Sequence, residues 1–372
     1  MTKIVARRVG ARVVWVVLAA LWLGVLPRVA AAGATGEALA TRTLRIATLD
    51  FAPRRMTLDA DLNLVYLAPG ADTDASRKQG AAPEPSGEIG VLYPDITEPY
   101  RSVFLKIVAG IEESARAKVH TIAVAASVDS VELNRRLHSN NVKVVVALGR
   151  QGLKAAAGLD RDISVVVGGV LLLPDAEQKS LNGISLTPDP ALLFARLKSL
   201  QPDVKRVLVV YDPQHNDWLI RLAREAARAQ GLELHAVEAR ELGQAARLYE
   251  SLFAGADARR DALWLPQDPT TVDEGTILPL VLKESWNRSV PVFSSSYLHV
   301  KKGALFVLYP NNLELGRNLA ASAQRILSGD ARKGMLPLRE VYSAVNLRTA
   351  THIGLNISNE QQRSFDSIFP EK

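Results

Sequence analysis

Three aspartates stand close behind apolar runs that are typical of β-strands, and carboxylates so placed could act as a general acid and base. Asp95, Asp212 and Asp268 each lie within three residues of the end of such a run. Aspartate also begins turns and caps helices, and this structural role is the favoured interpretation of all three. No nucleophile, base and orienting acid can be assembled from the sequence, and a chain without cysteine excludes thiol chemistry. The sequence therefore predicts no catalytic residue.

Cofactor and metal signatures are missing from the sequence as well. The first strand end reads Tyr-Pro-Asp at residues 93–95, so the glycine-rich turn of a dinucleotide site is not there, and neither is a phosphate-binding P-loop. The six histidines show no metal-ligand spacing. Five of the six excess positive charges fall in residues 1–32, which leaves the remainder almost neutral. We therefore expect no cofactor, no metal and no nucleic acid as a partner.

Polar, aromatic and glycine residues at strand ends are the better candidates for a functional site. Glycines there let the backbone approach a ligand, helix N-termini near 150 and 270 favour an anion, and tyrosines offer flat walls with a polar tip. For any single residue, a half-buried strand end or a plain loop stays an open alternative. The predicted ligand-binding residues are Tyr93, Asp95, Gly149, Arg150, Gln151, Gly168 and Gly169 in the first half, and Tyr211, His215, Asn216, Gln267, Asp268, Ser294, Ser295 and Ser296 in the second.

The candidates in the two halves occupy corresponding positions because one segment of the sequence appears twice, as an internal repeat. Residues 89–95 and 207–213 are both apolar runs that end in a tyrosine followed by proline and aspartate. Gly149 follows Tyr93 by 56 residues, and Pro266 follows Tyr211 by 55. Two halves with the same spacing predict two similar lobes, and a cleft between lobes is a natural ligand site. Tyr93 and Tyr211 are then expected to form its opposing walls.

Short β-branched runs alternate with helical patterns from residue 88 onward, which predicts an α/β fold with two doubly wound parallel sheets. We expect a further strand at 303–310, a helix from 311 or 312 to about 327, a strand near 338–346, and a strand end plus a short helix in the tail. The other predicted strands are 88–93, 119–125, 142–148, 163–168, 205–211, 232–238, 261–266 and 291–294. The other predicted helices are 98–116, 129–139, 150–158, 189–200, 216–230, 241–254 and 275–287.

The first 87 residues are expected to stand apart from this pattern. Residues 1–32 have a basic start, an apolar core of 14 residues and small residues before Gly33, which predicts a cleaved secretory signal peptide. An uncleaved membrane anchor is the alternative, although the core is short for a span. Residues 33–87 are predicted to be an extension with strands at 44–49 and 62–67 and a linker at 68–87.

The order and spacing of five segments resemble the exported substrate-binding proteins of ABC importers, in the tryptophan/tyrosine-type branch. The resemblance covers about residues 88 to 360. It rests on residues 89–94, 197–213, 291–296, 302–317 and 345–355.

The resemblance implies a type I periplasmic-binding fold, with two lobes joined by a three-strand hinge. Lobe 1 would hold 88–187 plus 311–330, and lobe 2 would hold 188–310 plus 338–360. The implied function is capture of a small solute, such as an amino acid, in the periplasm and its delivery to an ABC permease in the inner membrane. The predicted site residues fall where the family contacts its ligand.

The sequence departs from the family at three places. The extension 33–87 is long, residues 168–174 are unusually apolar, and Arg150 replaces a small hydroxyl residue. Two other functions therefore stay open: a periplasmic ligand-sensing or partner-binding module of a signalling system, and a cleft hydrolase that uses the strand-end carboxylates. Neighbouring genes for a permease and an ATPase would favour import, genes for a kinase or cyclase would favour sensing, and turnover of a solute would support the hydrolase.

Overall fold

The computed structural model describes residues 55–58, 64–67, 87–171, 180–330 and 334–371. Two strands precede the main body, β1 (Arg55–Leu58) and β2 (Leu64–Leu67), and they pair as an antiparallel hairpin. β2 matches the strand predicted at 62–67, whereas β1 was not predicted. The signal peptide, the strand at 44–49 and almost all of the linker 68–87 lie outside the described residues.

The first sheet has six strands, all parallel, in the order β13-β7-β6-β5-β3-β4. Its strands are β3 (Glu88–Pro94), β4 (Val119–Val124), β5 (Val142–Leu148), β6 (Ser164–Val170), β7 (Asn182–Pro188) and β13 (Gly334–Leu338). The run at β5 is buried almost without interruption because helices cover both faces of the sheet. We call this sheet with its helices lobe 1.

The second sheet has seven strands in the order β15-β14-β12-β11-β10-β8-β9. All neighbours are parallel except β12 and β14, which are antiparallel. Its strands are β8 (Arg206–Tyr211), β9 (Glu233–Glu238), β10 (Asp261–Leu265), β11 (Val292–Ser294), β12 (Phe306–Pro310), β14 (Val341–Asn346) and β15 (Ser367–Phe369). We call this sheet with its helices lobe 2.

Helices follow most strands, as expected for a doubly wound fold. They are α1 (Tyr100–Ser114), α2 (Ser130–Ser139), α3 (Gly149–Ala156), α4 (Pro190–Leu200), α5 (Pro213–Ala229), α6 (Leu242–Ala254), α7 (Ile277–Arg288), α8 (Tyr297–Lys302), α9 (Asn312–Leu327), α10 (Leu347–His352) and α11 (Asn359–Arg363). Side-chain oxygens of Asp129, Asp189, Asp212 and Asn311 cap the N-termini of α2, α4, α5 and α9.

The two sheets repeat one topology, as the duplicated segment predicts. β4-β3-β5-β6-β7 in the first sheet and β9-β8-β10-β11-β12 in the second have the same order along the sheet and along the chain. Tyr93 and Tyr211 therefore lie at equivalent strands, and the turn at Gly149 is equivalent to the turn at Pro266. The fold class inferred from the sequence is confirmed.

The chain passes between the sheets three times. It leaves β7 through Asp189, leaves β12 through Asn311, and runs from β13 to β14 through Arg339 and Glu340. The backbone N–H of Asp189 donates to the carbonyl of Leu338 at 2.8 Å, and that of Asn311 donates to the carbonyl of Glu340 at 3.2 Å. The three crossings therefore lie side by side as one hydrogen-bonded connection.

The direction of these crossings decides which edges of the sheets approach each other. The carboxyl ends of β7, β12 and β13 each lead into a crossing. β14 begins at the end of the third crossing and runs antiparallel to β12. Since the remaining strands of each core sheet are parallel to β7 or β12, their carboxyl ends share the same edges. The carboxyl edges of both sheets therefore flank the connection, one on each side.

Several elements differ from the sequence-based prediction. The strand expected at 338–346 is two strands, β13 in lobe 1 and β14 in lobe 2, separated by the third crossing. β14 also breaks the expected all-parallel order of its sheet. β7 and the six-residue helices α8 and α10 were not predicted at all, and the tail has its expected short helix before its strand rather than after it.

Candidate ligand-binding site

All of the predicted site residues lie at carboxyl ends of strands or in the loops and first helical turns that follow. In lobe 1 they follow the adjacent strands β3, β5 and β6, and in lobe 2 they follow the adjacent strands β8, β10 and β11. Each sheet thus gathers its own candidates into one cluster. The two clusters lie on the two edges that flank the crossings.

Asp268 is the centre of the lobe 2 cluster. One carboxylate oxygen, Oδ2, accepts the backbone N–H of Asp212 at 2.7 Å and the side-chain amide of Asn216 at 2.9 Å. The other, Oδ1, accepts the backbone N–H groups of Thr270 and Thr271 at 2.9 and 3.0 Å. Asp268 is buried, and these four donors hold two loops together. The contacts give Asp268 a structural role in the cluster.

Asp212 is committed in the same way. Its Oδ1 accepts the backbone N–H of Gln214 at 2.9 Å, which caps α5, and its Oδ2 accepts the hydroxyl of Thr270 at 2.9 Å. The ring of His215 comes near, with Nδ1 at 3.3 Å from Oδ2, which is an ion-pair distance when the ring is protonated. His215 Nδ1 is buried and has no hydrogen-bond partner among the described residues.

The serines after β11 are ordered by a buried histidine. Ser294 Oγ lies 2.7 Å from Nδ1 of His299 and donates to the carbonyl of Leu265 at 3.1 Å. Burial lowers the pKa of His299 to about 4, with Glu274 opposing and Lys302 reinforcing that shift. A neutral ring protonated on Nδ1 donates to Ser294, and this assignment satisfies both groups.

Ser295 completes the lobe 2 cluster. Its carbonyl accepts the side-chain amide of Gln267 at 2.7 Å, which ties the loop after β11 to the loop after β10. Its hydroxyl is buried and has no hydrogen-bond partner within the described chain. Ser296 donates its backbone N–H to Ser294 Oγ at 3.2 Å and precedes α8.

The lobe 1 cluster is built on two glycines with left-handed backbone, Gly149 and Gly169, each with φ of +66°. A methyl group placed on Gly169 would lie 3.4 Å from the backbone nitrogen of Gly149 and 3.1 Å from the ring of Phe104. One placed on Gly149 would lie 2.9 Å from the same ring. Phe104 on α1 is half-buried and therefore covers both glycines with an aromatic surface.

Arg150 and Gln151 occupy the first turn of α3, next to these glycines. The preceding residue, Leu148, gives that helix no side-chain cap. Arg150 is exposed and makes no ion pair with the described residues. Gln151 is half-buried, and its Oε1 is completely covered without a hydrogen-bond partner in the part of the chain that the structure describes.

The remaining candidates have other surroundings. Tyr211 is only 4% exposed and packs in the core. Its hydroxyl donates to Glu238 Oε1 at 3.4 Å, and burial, reinforced by Glu238, raises its pKa. Gly168 packs against α9, where a methyl group would lie 2.3 Å from Leu319 Cδ1. Tyr93 is half-buried against the same core cluster as Phe104, and Asp95 is exposed in the loop after β3.

Three of the predicted residues, Gln151, His215 and Ser295, thus hold buried polar atoms that lack a partner among the described residues. Buried polar atoms are nearly always hydrogen-bonded, so each can receive a bond from a bound molecule. Phe104 and His299 were missed. Phe104 could have been found from the buried 104, 107, 108, 111 spacing of α1, because the first turns after a strand face the carboxyl edge.

Two features away from the strand ends could also hold something. His138, Asp160 and Asp162 offer metal-ligand atoms within 4.8 Å of one another, but all three are exposed and form ion pairs, His138 Nε2 with Asp160 at 2.9 Å and Lys143 with Asp162 at 3.8 Å. A cavity of about 840 Å³ lies between α9, β13 and the crossings. It does not include a predicted site residue.

The topology defines a type I periplasmic-binding fold. A ligand-free, open substrate-binding protein with adhesive properties from Clostridium difficile has a similar structure, at 18% identity over 76% of this chain and 99% of that one, with a TM-score of 0.54. An ABC domain from Streptococcus pneumonia in complex with L-Trp is also similar, at 18% identity over 76% of this chain and 100% of that one, with a TM-score of 0.47. No curated protein matches the sequence.

The model of the ABC transporter substrate binding protein family matches residues 107–364, and the chain belongs to this family. It is therefore a protein that captures a solute for an ABC transporter, and the sensing alternative is not favoured. The family is one of binding proteins and is not an enzyme class. Within the described residues, none of the helices has the length and apolar character needed to cross a membrane.

Proposed function

We propose that the protein binds a small solute between the carboxyl edges of its two sheets, in the periplasm, and delivers it to an ABC permease in the inner membrane. One observation carries the proposal: Gln151 on lobe 1 and His215 and Ser295 on lobe 2 hold buried polar atoms without partners among the described residues. They lie on the two edges that flank the crossings. A solute held between those edges would satisfy all three.

The connection between the lobes supports capture by closure. Three adjacent crossings of a few residues each, joined through Asp189, Asn311 and Glu340, connect the two lobes. Such a link acts as a hinge, about which the lobes close on a ligand. The closed form, with the solute buried, is then what the permease receives.

The site residues divide into contacts and supports. We assign contact with the solute to exposed Arg150 and to Gln151, His215 and Ser295, each of which holds a polar atom without a hydrogen bond to the described residues. Asp212 and Asp268 support the loops, because four donors already occupy the carboxylate of Asp268 and two occupy that of Asp212. Carboxylates committed in this way favour binding over turnover, so we propose that the protein is not an enzyme.

A thermal-shift screen against small metabolites tests this proposal. A ligand that binds only the folded state stabilises it by RT ln(1 + [L]/Kd), about 2.7 kcal/mol at a hundredfold excess over Kd. We expect at least one amino acid or similar polar solute to raise the melting temperature, without being consumed. Ser295→Ala should weaken that binding, whereas Ser251→Ala, at an exposed position of α6, should not. No shift with any solute would overturn the proposal.

A further inference from the structure

The two clusters differ in which side chains lie at the N-termini of their helices, where the backbone carries partial positive charge. In lobe 2, Asp212 caps α5, and the carboxylate of Asp268 accepts the backbone N–H groups of Thr270 and Thr271 in the loop after β10. The protein thus places its own carboxylates where the backbone donors converge. No position for an anionic ligand group is left at those donors.

Lobe 1 lacks both of these internal carboxylates. The residue equivalent to Asp268 is Gln151, and the helix that follows β5 begins at Gly149 without a side-chain cap. The exposed guanidinium of Arg150 lies in the same turn, and it makes no ion pair with any residue in the described ranges. Positive charge therefore accumulates at the carboxyl end of β5, where no side-chain carboxylate caps the helix and none pairs with Arg150 among the described residues.

The surroundings of Arg150 suit a small ligand with an apolar part. Gly149 and Gly169 are buried beside it, and the ring of Phe104 covers both glycines. On the opposite edge the hydroxyl of Ser295, a residue only 1% exposed, has no partner among the described residues and can donate to an oxygen of the ligand. This hydroxyl points to a ligand independently of the helix N-terminus.

We propose that the solute is a small organic anion whose acidic group binds Arg150 at the start of α3, with its apolar part on Phe104. This inference rests on the proposed function of the cleft. A guanidinium binds a carboxylate through two parallel hydrogen bonds, which a small hydroxyl cannot do. The buried acids of lobe 2 are already hydrogen-bonded, so they cannot receive the ammonium of a zwitterion. On the lobe 1 edge, Asp95 offers an exposed carboxylate in the loop after β3.

A substitution at Asp95 distinguishes a ligand that carries an ammonium group from an anionic ligand. If the ligand carries an ammonium group, Asp95 offers it an exposed carboxylate on the same edge as Arg150, and Asp95→Asn weakens binding. If the ligand is an anion, Asp95 only repels it, and Asp95→Asn leaves the affinity unchanged or improves it. Arg150→Gln removes the proposed partner, and Arg161→Gln is a matched control because Arg161 is an exposed arginine that precedes β6 at the opposite edge.

The experiment measures Kd by calorimetry for the wild type and these variants. The probes are succinate, benzoate and phenylpyruvate as anions, and L-tryptophan, L-leucine and L-glutamine as zwitterions. We expect an anion to bind most tightly, Arg150→Gln to weaken it about 30-fold or more, as the loss of a charge-assisted hydrogen-bond pair predicts, and Arg161→Gln to have no effect. Binding should also weaken as salt is raised.

The outcomes separate the inference from the function on which it rests. Tightest binding of a zwitterion, with Arg150→Gln within twofold of the wild type or with Asp95→Asn impaired, would overturn the anion assignment and leave solute capture intact. Failure of every probe, anionic and zwitterionic, to bind the wild type would count against the anion assignment. Failure of the broader metabolite screen as well would count against solute capture itself.

Discussion

Gly110 and Gly316 meet where helix α1 crosses helix α9. A methyl group built on Gly316 would lie 2.1 Å from the carbonyl oxygen of Ile107 and 2.9 Å from the Cα of Gly110. One built on Gly110 would lie 2.0 Å from the carbonyl oxygen of Leu313. The two backbones therefore touch directly. α9, which reaches lobe 1 after the second crossing, is seated on its core by this contact.

Gly316→Ala should destabilise the protein by overpacking this crossing. A buried methyl group that meets backbone on the opposite helix forces the helices apart, at a cost of about 1–3 kcal/mol. Thermal or denaturant unfolding measures the change. Gly243→Ala is the matched control, since Gly243 is exposed on α6 and has only a flexible side chain within 4 Å. There the better helix propensity of alanine should leave stability unchanged or slightly increased, and an equal loss in both variants would contradict the packing explanation.

The sequence predicts the fold where apolar pattern and burial agree. The run at β5 is continuously apolar and is buried along almost its whole length, so it was predicted with the observed bounds. β7 was missed because its pattern is inverted: Ser185 and Thr187 are buried and bond to carbonyls of Val170 and Leu171, while Ile184 and Leu186 are partly exposed. This inverted burial of polar and apolar side chains follows from the position of β7 beside β6 in the folded sheet, which the local sequence pattern does not contain.

The same limit holds at the candidate site. The carboxyl edges of parallel strands give the place of the site, so the positions of Gln151, His215 and Ser295 follow from the order of strands and helices. Orientation does not follow from that order. Tyr211 occupies a strand end like Tyr93, yet its side chain packs on the helix-covered face and reaches Glu238, and Phe104 supplies an aromatic surface from the helix beyond.

His299 should make the protein sensitive to acid. Its pKa is lowered to about 4 by burial, so in mildly acidic solution the unfolded chain binds a proton that the folded chain does not. Its contribution to stability therefore falls as pH drops below about 6.5, by about 2 kcal/mol between pH 7 and pH 4.5. Urea unfolding at the two pH values should show a smaller acid loss in His299→Gln than in the wild type. His138→Gln, at an exposed histidine, is the control, and an acid loss in His299→Gln equal to that of the wild type would contradict the assignment.

Asp268→Asn should loosen the loops of lobe 2. An amide turns one acceptor atom into a donor that faces donors, either the N–H of Asp212 and the amide of Asn216 or the N–H groups of Thr270 and Thr271. Buried donors without acceptors cost about 1–3 kcal/mol. Hydrogen exchange should show faster exchange at residues 212 and 270–271 specifically. In Asp273→Asn, whose carboxylate accepts the N–H groups of Gly275 and Thr276 near the surface, water can replace the lost bonds, so stability should change little. Unchanged exchange in Asp268→Asn would show that the carboxylate does not hold these loops.

Phe104→Ala should weaken solute binding. The ring is half-buried over Gly149 and Gly169, so its removal exposes their backbone to water and takes away an apolar surface beside Arg150. Loss of an apolar contact of about 50 Å² corresponds to about 1.3 kcal/mol, or about tenfold in Kd. The affinity is measured by calorimetry well below the melting temperature of each variant. Tyr100→Ala, which removes an aromatic side chain that is 68% exposed on the same helix, is the control and should bind as the wild type does. If Phe104→Ala retained wild-type affinity, the aromatic surface would belong to the lobe 1 core, and the apolar part of the solute would have to contact another residue of the cleft.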